Sequence, residues 1–230
     1  MPKTTETNEA VGRLVLPASM AALESRAEGE RPELISGYGA VFYRLGDDAS
    51  QYRADVDLVE RIMPGAFSEF VEDRSRECLC SLDHDDRQLL GRRSSGTLSM
   101  SIDDRGLRYS VPYDTADPDH QRVAAKIRRG DIFGSSLRFL AHEERWLRDQ
   151  DTGMIVREVL AADVFQIGPV TDPAYEGTSA EVRSSAVPDG GWATLQHRKA
   201  AFLAAEELGR ESLLIEIDRW IDEVDQVLRD

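Results

Sequence analysis

Between residues 33 and 184 the chain carries one short run of β-branched and aromatic residues after another, separated by Gly, Asp and Pro. That density of short strands limits the available folds more than any other feature. Residues 35–43, 56–62, 78–82, 96–102, 106–113, 132–139, 144–146, 155–160 and 164–170 read as strands, with the fourth and fifth joined as a hairpin across Asp103, Asp104 and Arg105. Two stretches between them read as helices. Residues 64–72 begin on Pro64 and put Phe67, Phe70 and Val71 on one face. Residues 117–129 have Asp117 to cap the first turn, Pro118 after it, Val123 and Ile127 on one face, and Gly130 to end the helix. The expected fold class is therefore mainly β with helices (α+β), as a closed or nearly closed β-barrel decorated by helices.

The flanks differ from this domain. Residues 1–32 are polar, carry both charge signs and read as a mobile N-terminal region, with a short strand near 13–16. The barrel domain spans 33–184. Residues 185–194 read as a linker, because SSAVPDGG combines Pro, Asp and paired Gly. The C-terminal tail, 195–230, reads as two helices, 195–208 and 211–228, with Gly209 between them. In the second, Leu213, Leu214, Ile217, Trp220, Ile221, Val224 and Val227 form an apolar stripe opposite an acidic face. Such a stripe either packs on the barrel or pairs with another copy or a partner.

Charge and cysteine content narrow the functions. The chain has 28 Lys and Arg against 43 Asp and Glu, a net charge of -15. A duplex-binding protein needs a surplus of basic residues to displace counterions, so no nucleic-acid partner is expected. No apolar run approaches the roughly 20 residues that span a bilayer, and no membrane partner is expected. The N-terminal residues lack the basic and apolar regions of a secretory signal, which points to the cytoplasm or to something assembled there. The two cysteines, Cys78 and Cys80, are one residue apart and read as buried thiols rather than a disulfide.

Candidate chemistry starts from the four histidines, because general-base work near neutral pH usually falls to imidazole. His120, His142 and His197 lie among charged residues and read as surface positions. His84 instead ends the buried-looking strand CLCSL within SLDHDDRQLLGR. Asp83, His84, Asp85 and Asp86 are too close in sequence to turn together onto one ion, so no metal is expected. A second candidate stretch, RRGDIFGSSLRFL, delivers Ser135 and Ser136 on a strand. Alternation sends these hydroxyls to opposite faces, so only one can meet a given base. No G-x-S-x-G elbow is present, which disfavours an α/β-hydrolase.

SLDHDDRQLLGRRSSGTLSM, GLRYSVPYDT, IRRGDIFGSSLRF and LAADVFQIGPVTDPAYEGTSAEVR, preceded by GYGAVF and ERIMPGAF, together resemble the tailed-phage prohead maturation proteases, relatives of herpesvirus assemblin. The resemblance covers residues 33–184 in unbroken order. It implies an assemblin-like barrel and a serine endopeptidase needing no cofactor. The family's histidine follows a strand, matched by His84. Its serine lies in a G-x-x-x-G-x-S-x-x-F-like stretch matched by Gly130, Gly134, Ser136 and Phe139, so the resemblance selects Ser136 over Ser135. Two departures stand out. Gln166, Ile167 and Gly168 occupy positions where the family commonly has an acid, a small apolar residue and serine, and Arg138 stands near a common glycine. The third catalytic member is then expected at Asp163, with Asp172 and Gln166 behind it. Arg92, Arg93 or a backbone amide are candidates for the oxyanion site. The resemblance further implies scaffold segments and the major capsid protein as substrates, action inside the assembling prohead in the host cytoplasm, and self-cleavage, with SSAVPDGG as a plausible site. The tail helices offer a route to self-association. The rival reading is a catalytically inactive scaffold or capsid-assembly module that keeps the fold.

Overall fold

The computed structural model describes residues 21–24, 33–171 and 191–208. Over these residues the protein is α+β, built mostly of strands. The strands are β1 (Ala21–Glu24), β2 (Leu34–Val41), β3 (Tyr52–Asp55), β4 (Leu58–Ile62), β5 (Leu79–Ser81), β6 (Leu89–Arg92), β7 (Ser99–Ile102), β8 (Gly106–Pro112), β9 (Gly134–Arg148) and β10 (Ile155–Val170). Helix α1 (Ser68–Glu72) follows β4, α2 (Pro118–Arg129) follows β8, and α3 (Gly191–Leu208) follows β10. Asp117 accepts the Asp119 N–H at the start of α2, and Gly130 closes the helix in the left-handed conformation at φ 80°.

The strands divide into two sheets. One is antiparallel in the order β1-β2-β8-β7; the other runs β3-β4-β10-β5-β6, with β9 along the remaining edge of β10. Strand β10 is the spine of the second sheet. Its N-terminal half pairs in parallel with β4, its C-terminal half in parallel with β5, and its whole length antiparallel with β9. Both edges of β10 are thereby occupied. Among the described residues the expected closed or nearly closed barrel is not found, because the strands hydrogen-bond as two separate sheets with no pairing between them. The two sheets instead meet through side chains. Gly39 of β2 lies so close to the second sheet that a Cβ there would sit 2.4 Å from Ile167 Cδ1.

One apolar core joins the sheets: Ile35 and Phe42 on one side, Leu107, Tyr109 and Val111 beside them, and Leu137, Phe139, Val164 and Ile167 opposite. Phe67, fully buried beside α1, stacks near Phe42 and meets Phe139 edge-on. Burial of a side chain of that size contributes about 1.5–3 kcal/mol. Cys80 belongs to this core, and burial raises the Cys78 thiol to about 12 and lifts that of Cys80 as well. Neither thiol is poised to react.

Several elements differ from the sequence expectation. Residues 132–139 and 144–146 belong to one strand, β9, and 155–160 and 164–170 to one strand, β10. Val56 and Asp57 form a turn between β3 and β4 rather than a strand, and Val56 is exposed. His120, expected at the surface, is buried; its Nδ1 accepts the Asp114 N–H at 3.0 Å, so Nε2 donates to the Leu90 carbonyl at 2.7 Å. Helix α3 begins at Gly191, inside the stretch expected as linker. The 13–16 strand, Asp172, most of SSAVPDGG and the 211–228 helix lie outside the described residues.

Candidate active site

The site grows from strand register. Along β9, Ser135, Leu137 and Phe139 face the inter-sheet core, and the Ser135 hydroxyl meets Tyr109 Oη at 3.0 Å. Alternation turns Ser136 and Arg138 to the opposite face. Directly across on β10, Gly168 stands beside Ser136 and Gln166 beside Arg138. Ser81, at the end of β5, comes down over Gly168 from the other side: a Cβ on Gly168 would lie 2.3 Å from the Ser81 carbonyl oxygen and 3.1 Å from its nitrogen. The absent side chain lets the chain leave β5 across this face, where it makes the 3-10 turn Leu82–His84 against β10. Strands β9 and β5 thus flank Gly168, with Ser136 on one side of it and the turn that bears His84 leaving from the other.

The turn is unusual in its backbone. Asp83 and His84, at φ 53° and 55°, are the described non-glycine residues with positive φ. Such conformations cost free energy, and residues held in them concentrate at functional sites. Here Asp83 is tied down through its carboxylate, which accepts the Thr171 N–H at 2.6 Å and its hydroxyl at 3.0 Å. The Asp85 N–H donates to the Leu82 carbonyl at 3.0 Å, closing the turn.

Four buried side-chain polar atoms have no hydrogen-bond partner among the described residues: Ser81 Oγ, His84 Nδ1, His84 Nε2 and Arg138 Nε. All belong to this one neighbourhood. Native structures satisfy nearly all such atoms, and the exceptions call for a reason. The His84 pKa is lowered to about 4, chiefly by burial and also by the Arg138 charge, with Asp83 opposing both. The imidazole is therefore neutral around pH 7, the form a general base requires.

Asp163 lies on the same face but elsewhere. It pairs with Leu140, four residues along β9 from Ser136, roughly 13 Å at about 3.3 Å per residue. Its carboxylate accepts from Arg76 Nη1 and meets His142 Nε2 at 3.0 Å. Arg76 also pairs with Glu69 and Asp73, so this cluster ties the end of α1 to β10. Gln166 donates to Asp86 and accepts from Arg138 at 3.4 Å. Arg93 donates to the Phe70 and Val71 carbonyls at 2.9 and 2.7 Å and lies over the Phe70 ring; Arg92 faces Glu77. The sequence reading missed Asp83 and Gly168 as determinants. The signal for Gly168 was present, as glycine inside a strand pattern marks a close backbone approach.

The constellation offers a hydroxyl and a desolvated neutral imidazole on either side of Gly168, with a cation beside them. Among the described residues, no three His, Cys, Asp or Glu side chains converge as ligands for a metal ion, and no helix is long and apolar enough to cross a membrane. Compared with known families, residues 21–189 match the caudovirus prohead serine proteases. No curated protein and no solved structure matches the chain.

Proposed function

Because the chain belongs to the caudovirus prohead serine protease family, we propose that it is a serine endopeptidase of capsid maturation in which Ser136 is the nucleophile and His84 its base. The observation that carries this reading is the gathering of the unpartnered buried side-chain polar atoms of the described residues on the strands and turn around Gly168, beside Ser136. Ser136 Oγ attacks the scissile carbonyl while His84 takes its proton. The imidazolium then protonates the leaving amine, and water, activated by the same imidazole, releases the acyl group. Substrates are the major capsid protein and scaffold segments inside the assembling prohead in the host cytoplasm, and the enzyme also cuts its own chain, with SSAVPDGG as the candidate site.

The orienting carboxylate is a choice between Asp163 and Asp83. Asp163 would have to release Arg76 and His142 to reach the imidazole. Asp83 adjoins His84, and its charge already favours the protonated ring. Asp83 is accordingly the better candidate to stabilise the imidazolium. Asp163→Asn should leave turnover within about threefold of wild type, whereas loss of the orienting carboxylate of a triad costs orders of magnitude. A collapse of turnover in folded Asp163→Asn would return the role to Asp163.

A serine-directed fluorophosphonate probe tests the central claim. Wild type should be labelled on Ser136 alone, and Ser136→Ala and His84→Ala should each abolish labelling and cleavage, with the double variant no worse. Ser135→Ala should still be labelled. Gln166, at a position commonly acidic in the family, favours an inactive assembly module as the second reading; a folded wild type that resists the probe would establish it.

A further inference from the structure

Arg138 is the described cation closest in register to Ser136, two residues along β9 on the same face. Elsewhere this protein gives its partly buried guanidinium groups an acid: Arg61 pairs with Asp149, Arg157 with Glu60 and Glu144, and Arg198 with Glu144. Arg93, without a carboxylate, is satisfied by two carbonyls. Arg138 has neither arrangement. Its contact is the Gln166 amide oxygen at 3.4 Å, its Nε is buried without a partner, and among the described residues it makes no ion pair. Gln166 is held in turn by Asp86. Through Gln166 the guanidinium is linked to the Asp86 carboxylate without a direct ion pair to it among the described residues.

A partly buried guanidinium with a buried, unpartnered N–H and no carboxylate bonded to it is better satisfied when an anion completes it. Resting on the reading of Ser136 as nucleophile, we infer that Arg138 is a specificity residue that pairs with an Asp or Glu side chain of the substrate within about two residues of the scissile bond. The reach follows from strand geometry: Ser136 and Arg138 are two residues apart, about 7 Å, and an extended peptide rises about 3.3 Å per residue. A guanidinium suits the task because its fork binds a carboxylate through two hydrogen bonds. The attraction is local, since a chain of net charge -15 repels acidic peptides at long range.

The test uses the full chain and a proteome-derived peptide mixture, with cut sites mapped by mass spectrometry. Wild type should enrich Asp and Glu within two positions of the cut by about tenfold, the scale of a hydrogen bond to a charged group. Arg138→Gln, shown folded by circular dichroism, should lose that enrichment, and Arg138→Lys should keep part of it. In parallel, immobilised Ser136→Ala should retain acidic peptides from the same mixture, and Ser136→Ala/Arg138→Gln should not. Absence of acidic enrichment in both arms overturns the inference. Equal loss of acidic and neutral cuts in Arg138→Gln also overturns it, by making Arg138 a general aid to catalysis. Acidic retention by Ser136→Ala that Arg138→Gln abolishes, alongside a wild type that resists labelling, would reject the catalytic reading and overturn the placement beside a scissile bond, leaving Arg138 as a residue that binds acidic peptides.

Discussion

At the scale of single residues, Ser135 and Ser136 share a hydroxyl and differ in everything around it. Ser135 is hydrogen-bonded to Tyr109 in the core, while Ser136 lies beside Gly168, which has the end of β5 on its other side. Their opposite orientation follows from alternation and was legible in the sequence; the choice between them came from the resemblance. The surroundings of Asp163 were not legible, because Arg76 and His142 reach it from distant parts of the chain. His84 makes its own prediction. Its folded pKa, about 4, lies below the ordinary value of 6.5 because the ring is desolvated and faces Arg138. The unfolded chain therefore binds this proton more readily. Stability from this group is unaffected above about pH 6.5, falls as the pH drops towards 4, and levels off below. The full effect is about 3 kcal/mol by the usual conversion. Urea melts of wild type and His84→Asn, which tolerates the left-handed backbone, should diverge through that window, with wild type losing ground as acid is added. Parallel curves would show that the imidazole is not desolvated.

Among the elements, β9 and β10 carry the proposed site and were also the hardest to read. Their pairing shifts register between Val159 and Ala161, between Ala161 and Ala162, and between Val164 and Gln166. Each irregularity resets the two-residue period, so a continuous strand reads as two short ones. The last shift leaves Phe165 exposed and returns Gln166 and Gly168 to the face of Ser136. The elements whose signals are local, such as α2 with Asp117 and Gly130 at its ends, were legible to within a residue. Gly168 gives the test at this scale. An added methyl would strike the backbone of Ser81, which cannot swing aside as a side chain can. The end of β5 and the turn bearing His84 would have to move. Gly168→Ala should cost about 1–3 kcal/mol and sharply slow labelling of Ser136. Gly130→Ala, with open space around its Cβ but φ of 80°, should cost about 1 kcal/mol and leave labelling unchanged. Labelling of Gly168→Ala at the wild-type rate would mean that the turn is not seated through this contact.

For the whole molecule, the question is whether α3 belongs to the folded body. The sequence reading weighed packing against partnering for the 211–228 stripe, which lies outside the described residues, and made no such choice for α3. In the structure, Leu195 and Phe202 of α3 pack with Leu58 and Ile155, and Phe202 lies 6.3 Å from the Trp146 ring. Charge complements this contact. Lys199 pairs with Asp55 and Asp57, Arg198 with Glu144, and Glu206 with Arg148. Burial would raise the Glu144 carboxyl, but Arg157 and Arg198 outweigh it and hold the group below the ordinary range. Removing α3 would expose the apolar seat and take one of these two cations from a buried carboxylate. The two apolar side chains alone contribute about 3–6 kcal/mol, and loss of Arg198 adds the cost of a weakened buried pair. A chain ending at Gly190 should therefore melt well below one ending at Leu208, and a separate peptide of residues 191–208 should restore much of the difference. Equal stability of the Gly190 and Leu208 chains would show instead that α3 rests on the sheet without supporting it, and the protease body would end at β10.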